Sequence, residues 1–245
     1  MRNMIKKLLA MGLPMAASRF IHTFNTFLIM LLIARIGHNA LAASFTIAMT
    51  RVVMLVIFLS PLFAIGPIVS RNYLQHHSNE KQSTSFIQQG WCVALLLSII
   101  PLVTLSFLEP ILRFFHQPAN LIPLVGEYFK YYMWAIPGIY LSTVNQQYLA
   151  GIKKQHYVIA INLTIFVLSI LLNTGLIFGY FGLPKLGIAG AGIASIITTW
   201  TSFILSTIIT QRLSPVSHKR LRLNQLNNAK LILKIGLPIC LKSGS

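Results

Sequence analysis

The chain has 245 residues, 55% of them hydrophobic and only 9% charged, with a mean hydropathy of +0.71. A soluble domain carries about 25% charged residues, so there is too little polar material here to cover a soluble fold, and lipid is the solvent that removes the need. Lysine and arginine number 20 against three acids, Glu80, Glu109 and Glu127, for a net charge of +17. Because the basic residues sit mostly in short breaks between apolar runs, the pattern is that of membrane orientation and excludes a nucleic-acid groove.

Arg2, Lys6 and Lys7 precede an apolar stretch that continues to Ile36, too long for a cleavable signal peptide. It reads as the first of six segments of spanning length, at residues 8–36, 41–70, 86–108, 128–151, 157–180 and 188–211. Each reaches the roughly 20 residues that a helix needs to cross the hydrocarbon core. Barrel strands are excluded, because no alternation of polarity repeats along the chain. Residues 71–83 form a polar break whose adjacent His76 and His77 read as solvated. Residues 113–123, with two prolines, predict a short interfacial helix, and Gly182-Leu183-Pro184-Lys185 a tight turn. Pro61, Pro67, Pro101 and Pro137 predict kinks within the spans. Gly187, Gly190, Ala191, Gly192 and Ala194 form a small-residue surface suited to close helix packing. Cys92 and Cys240 have no metal-ligand or disulfide spacing and read as buried, inert thiols.

Orientation follows from the basic residues. With a cytoplasmic N-terminus, the inner segments hold Arg2, Lys6, Lys7, Arg71, Lys81, Lys153, Lys154, Arg212, Lys219, Arg220, Arg222 and Lys230, and the outer ones only Arg35, Arg113, Lys130 and Lys185. Positive charge concentrates on the cytoplasmic side of membrane proteins. The expected location is therefore a plasma membrane, the bacterial inner membrane, crossed several times.

Polar residues inside the spans are the candidate site. Arg19, His22, Thr23 and Thr26 fall at i, i+3, i+4 and i+7, one face of a helix. An arginine near the middle of a span costs about 2.5–3.5 kcal/mol on the insertion scale, a cost met by a water-filled cavity or a partner. No acid lies within the expected spans to pair with it. His22, with an unperturbed pKa of about 6.5, is a candidate proton carrier, and the like charge of Arg19 counts against it. Arg51 repels cations, binds an anion, or snorkels toward the headgroups. Asn145, Gln146 and Gln147, with Asn162, are candidates to line an inner vestibule or to join helices.

A recurrence marks the C-terminus. Gly12-Leu13-Pro14 opens the first span, and Gly236-Leu237-Pro238 recurs after a basic linker, each following a basic residue and an apolar run. Parallel repeats of this kind build many transporters. The expected organisation is a six-helix lobe over residues 1–212, a basic cytoplasmic linker over 213–229, and the truncated start of a second lobe over 230–245.

Several strings resemble multidrug and toxic compound extrusion (MATE) transporters. They are Pro14, then Ala34-Arg-Ile-Gly37 and Ala40-Leu-Ala-Ala43, then Ile65-Gly66-Pro67-Ile68-Val69. The most specific is Leu171-Leu172-Asn173 followed by Phe178-Gly-Tyr-Phe-Gly182-Leu-Pro184-Lys-Leu186-Gly187-Ile-Ala-Gly190-Ala191-Gly192-Ile-Ala194-Ser195. The resemblance implies an all-α integral membrane protein. Six transmembrane helices would form one lobe of a MATE-like transporter of the MOP superfamily, followed by the start of helix seven. It implies antiport with no cofactor beyond a coupling ion, H+ or Na+. The implied partners are the bilayer, small organic cations and a second six-helix lobe from another chain, with no nucleic acid. Asn173 and Ser195 match family positions. The family's helix-one aspartate is Ile29 or Met30 here, a second acid is Ile177, and the exit of helix two reads Arg71-Asn-Tyr-Leu-Gln75. At 1.5 Å per residue, Met30, Asn173 and Ser195 each lie roughly 9–10 Å from the outer ends of their spans, which predicts a common level.

The expected substrate- or ion-binding residues are thus Asn173, Ser195, Arg19, His22, Thr26, Asn145 and Gln146. The chain has no carboxylate pair, nucleotide-binding loop or metal-ligand spacing, so an enzyme is not expected. The leading expectation is proton- or sodium-coupled export of organic cations and xenobiotics. The alternatives are a flippase for lipid-linked oligosaccharides, for which intramembrane arginines suit a pyrophosphate, and an inactive remnant or accessory membrane protein.

Overall fold

A computed structural model describes the backbone of residues 2–75 and 80–213, with side chains at 17–55, 57–71 and 87–213. The described residues are mostly helix joined by short turns, with no strand among them. Its helices are α1 (Arg2–Ala34), α2 (His38–Leu59), α3 (Ile65–Gln75), α4 (Glu80–Ser106), α5 (Leu108–Phe114), α6 (Ile122–Tyr132), α7 (Ile136–Gly151), α8 (Gln155–Phe178) and α9 (Ile188–Leu213).

Prolines decide where the longer apolar runs change pitch. The second expected span is α2 and α3 joined by a 3-10 turn, Ser60–Ala64, with Pro61 in its first turn. The fourth is α6 and α7 joined by a 3-10 turn, Met133–Ala135, with Pro137 starting α7. A proline at the first turn has no amide to leave unbonded and still cannot continue the helix before it. Pro101, by contrast, lies inside α4. Among the described residues, five segments are long and apolar enough to span alone: 17–34, 38–71, 87–106, 155–178 and 188–213. The segment at 122–151 reaches spanning length only as α6 and α7 together.

The expected interfacial helix lies earlier than the sequence suggested. It is α5, and residues 115–121 are turns that include His116 at φ 52°. The turn after α8 begins at Gly179, φ 81°, a left-handed cap that glycine enters without strain. The amide of Leu186 then donates to the Leu176 carbonyl at 2.8 Å, folding the connection back onto α8.

Helix α9 is the hub, packed against α6, α7 and α8; α1 lies against α2 and α8, and α7 against α3 and α4. Small residues set these approaches, as expected. A Cβ on Gly190 would sit 2.6 Å from the Leu176 carbonyl oxygen, and one on Gly192 2.8 Å from that of Tyr128. The core between the helices includes Val125, Tyr128, Tyr140, Val144, Tyr148 and Leu149. Phe20, Phe45, Leu96, Val103, Val167 and Ile204 stand exposed on the outside, as lipid-facing helices require.

Cys92 is an exposed free thiol, not a buried one. It sits on the outer face of α4 beside exposed Leu95 and Leu96, so an apolar neighbourhood in the sequence did not mean an interior position. Cys240, the His76-His77 pair, most of the basic linker and the second Gly-Leu-Pro lie outside the described residues.

Candidate functional site

Two polar regions run through the apolar bundle. The first joins α4, α7 and α9. Asn145 is fully buried, and its side chain is bonded at both ends. Trp91 Nε1 donates to Asn145 Oδ1 at 2.8 Å, while Asn145 Nδ2 donates to Ser206 Oγ at 3.2 Å and Thr207 Oγ1 at 2.8 Å. One turn away, Gln146 Nε2 donates to Ser202 Oγ at 3.3 Å. Ser206 Oγ in turn donates to the Phe203 carbonyl at 3.0 Å. Rings close the region: Trp91 and Trp200 both meet Phe203 edge-on at 6.0 Å. Thr198, Ser202, Ser206 and Thr210, at i+4 intervals on α9, are all buried.

The second region lies between α1, α2, α6 and α7. The Arg51 guanidinium sits over the Tyr132 ring, 4.9 Å from its centroid. Tyr128 stacks on Tyr132 at 5.3 Å. Its hydroxyl lies 3.4 Å from Ser195 Oγ, which itself donates to the Ala191 carbonyl at 2.9 Å, so Tyr128 is the donor of that pair. His22 lies within electrostatic reach of both Arg51 and Arg19. Arg19 covers the Phe63 ring at 5.5 Å. This region is poorly satisfied: Ser18 Oγ, Asn25 Oδ1, Arg51 Nε, Tyr132 Oη and Tyr140 Oη are buried with no hydrogen-bond partner.

The predicted residues divide between these regions. Asn145 and Gln146 belong to the first. Arg19, His22 and Thr26 lie on α1 as a polar face, Arg19 and His22 exposed, and Thr26 Oγ1 donates to the His22 carbonyl at 3.1 Å. Ser195 joins α9 to Tyr128 of α6. Asn173 is buried and turned into its own helix: Nδ2 donates to the Ser169 carbonyl at 2.7 Å and Ser169 Oγ at 3.2 Å, leaving Oδ1 unpartnered. No hydrogen bond joins Asn173 to Ser195 among the described residues. Sequence reasoning did not single out Trp91, Tyr128, Tyr132, Tyr140 or Asn25. The i+4 ladder of hydroxyls on α9 was the available signal for the first region. Four tyrosines within thirteen residues of one apolar segment, Tyr128, Tyr131, Tyr132 and Tyr140, were the signal for the second.

A separate cleft of ≈ 550 Å³ opens where the α1–α2 turn meets α6 and α9, lined by His38, Asn39 and Glu127 among others. None of the predicted site residues lines it. No cluster of metal ligands exists among the described residues.

A helical bundle with interior polar residues and an apolar exterior fits an integral membrane protein. Residues 14–174 match the MatE family model, and the chain belongs to that family. It is 28% identical over 188 residues to the probable multidrug resistance protein NorM of Rhizobium meliloti (strain 1021), covering 77% of this chain and 40% of that protein. It is 34% identical over 125 residues to the multidrug resistance protein NorM of Burkholderia vietnamiensis, covering 50% and 27%. Among solved structures, the eukaryotic MATE transporter AtDTX14 superposes with a TM-score of 0.84 at 15% identity over 96% of this chain. The Vibrio cholerae MATE transporter VcmN in the bent form does so at 0.80 and 19%. The match covers 40% and 27% of these two relatives and about half of the solved transporter chains.

Proposed function

We propose that this chain forms the first six-helix lobe of a gradient-driven multidrug exporter in a bacterial inner membrane, with its N-terminus in the cytoplasm. The transported compounds are organic cations and related xenobiotics, exchanged for inward H+ or Na+, and a second six-helix lobe completes the cavity. The observation that carries this reading is the polar face of α1. Arg19 and His22 stand exposed on a spanning helix, at a depth where lipid contact costs a charged side chain about 2.5–3.5 kcal/mol. A water-filled cavity, bounded on its far side by another lobe, is the environment that removes that cost. In this reading Arg19, His22, Thr26 and Ser195 border the cavity, His22 carries the proton, and Asn145, Gln146 and Asn173 hold the helices that shape it.

Efflux of a fluorescent organic cation from cells expressing the chain, with and without a supplied second lobe, tests it across external pH 6 to 8. Efflux that collapses with the proton gradient and is lost in His22→Ala is the expected result. Absence of efflux in every condition, with the protein demonstrably in the membrane, would defeat it. A second reading, flipping of a lipid-linked oligosaccharide, is supported by the nearness of Arg19 and Arg51 to His22, a positive cluster suited to a pyrophosphate. Transfer of such a lipid across vesicles containing the chain, without cation efflux, would select it.

A further inference from the structure

Basic residues gather at one end of the bundle. Gly151, which closes α7, lies so near α3 that a Cβ on it would sit 2.8 Å from Val69. Arg71 follows Val69 at the same interval as Lys153 follows Gly151, so both charges stand just past that contact. Helices α8 and α9 run antiparallel and meet where Gly190 faces Leu176. Arg212 follows Gly190 by as many residues as Lys154 precedes Leu176, and equal rise along both helices brings Arg212 to the level of Lys154. Arg71, Lys153, Lys154 and Arg212 are all exposed. Of the three acids in the sequence, Glu109 and Glu127 belong to α5 and α6, toward the opposite end, where α6 meets the start of α9 at Tyr128 and Gly192. The remaining acid, Glu80, opens α4 beside Lys81, so this end carries a large positive excess.

An apolar stripe leads to one of these charges. Trp200, Ile204, Ile208 and Arg212 recur at i+4 intervals on α9, and all four are exposed. The opposite face of the same helix, Thr198, Ser202, Ser206 and Thr210, is buried in the bundle. At 1.5 Å per residue, Ile208 and Ile204 lie about 6 and 12 Å below Arg212 along the axis, the interval over which a bilayer passes from headgroup to acyl chain. A guanidinium above an apolar stripe, with a lysine pair at its own level on the neighbouring helix, fits a molecule with an anionic head and a hydrocarbon tail.

We propose that the end of α9 and the α7–α8 turn form a docking site for an anionic phospholipid. Its phosphate lies against Arg212, Lys153 and Lys154, and an acyl chain runs along Ile208 and Ile204. A zwitterionic headgroup brings a cation of its own, which this cluster repels, so net negative charge is the selecting feature. The site rests on the membrane fold and on no transport reading.

Thermal unfolding of the full chain in neutral detergent micelles tests it, titrated with dioctanoyl phosphatidylglycerol, dioctanoyl phosphatidylcholine or glycerol phosphate at constant ionic strength. A ligand that binds only the folded state raises Tm with the logarithm of its concentration above Kd. The expected result is a rise with phosphatidylglycerol alone. Each basic residue near an anionic lipid surface contributes about fivefold in affinity. Arg212→Gln therefore raises the half-saturating lipid concentration about fivefold, and the double variant Lys153→Gln, Lys154→Gln about 25-fold. Lys185→Gln, at the opposite end of α9, leaves it unchanged. If the double variant does not fold, Arg212→Gln decides. An equal rise with phosphatidylcholine, an equal rise with glycerol phosphate (a free phosphate as ligand), or an equal loss in Lys185→Gln (diffuse charge attraction) would each overturn the proposal, as would no rise at all.

Discussion

The α4–α7–α9 seam and the α1–α2–α6–α7 region both hold several buried polar groups, yet they differ in how those groups are satisfied. In the seam, acceptors and donors are matched: Asn145 supplies both and meets Trp91, Ser206 and Thr207. In the other region buried atoms of Ser18, Asn25, Arg51, Tyr132 and Tyr140 stay unmatched. A matched network serves as structure. An unmatched one carries polar groups that its own neighbours leave unsatisfied. Polarity inside a membrane is therefore not by itself the mark of a binding site; imbalance is the more informative sign.

Mutations that respect or violate this division sharpen it. The largest effect is expected where the seam's helices meet their neighbours by backbone contact. Gly190→Leu places a Cβ 2.6 Å from the Leu176 carbonyl oxygen, so α8 and α9 must separate. We expect a loss of about 3 kcal/mol or more, read as failure to recover folded protein from membranes or as a collapse of Tm. Next is Asn145→Ala, which removes three hydrogen bonds at about 0.6 kcal/mol each in membrane bundles. A loss of about 2 kcal/mol in reversible unfolding is expected; a loss below 0.5 kcal/mol would break the contrast by showing the seam to be replaceable. Ser195→Ala deletes the acceptor of Tyr128 and should cost about 0.6 kcal/mol, with any transport defect exceeding that small structural effect. His22→Ala is expected to change stability by no more than about 0.5 kcal/mol, because the side chain is exposed. The same variant abolishes gradient-driven efflux in the proposed mechanism. Stability loss without a transport defect would move His22 to the structural side of the comparison.

Much of the fold was legible because membrane helices declare themselves by apolar length. The first span, the third, the fifth and the sixth lie over α1, α4, α8 and α9. The glycines of residues 187–192 announced close packing, and Gly190 and Gly192 meet neighbouring backbone. The breaks inside the second and fourth spans were signalled by proline, but whether Pro61 would kink a helix or end one depends on packing that the sequence does not display. The site was less legible. Arg19, Arg51 and His22 stood out because charge is rare in a span. Asn145 stood out too, but its role did not, since Trp91 and Ser206 lie 54 and 61 residues away along the chain. Tyrosine in an apolar run reads as filler or as an interfacial anchor; only the fold brings Tyr132 and Tyr140 to Arg51. Cys92 was misplaced for a related reason, because hydropathy does not distinguish the lipid face of a membrane helix from its core.

The 3-10 turn at Met133–Ala135 also bears on how the protein is made. It divides residues 122–151 into pieces of 11 and 16 residues, neither reaching the roughly 20 needed to cross the bilayer alone. The second piece carries Asn145 and Gln146 to α9, and Trp200 of α9 donates from Nε1 across the break to the Trp134 carbonyl at 3.1 Å. The partners on α9 lie 56 to 66 residues later in the chain. Insertion of residues 122–151 is therefore expected to be less complete in a chain cut before α9 than in the full chain.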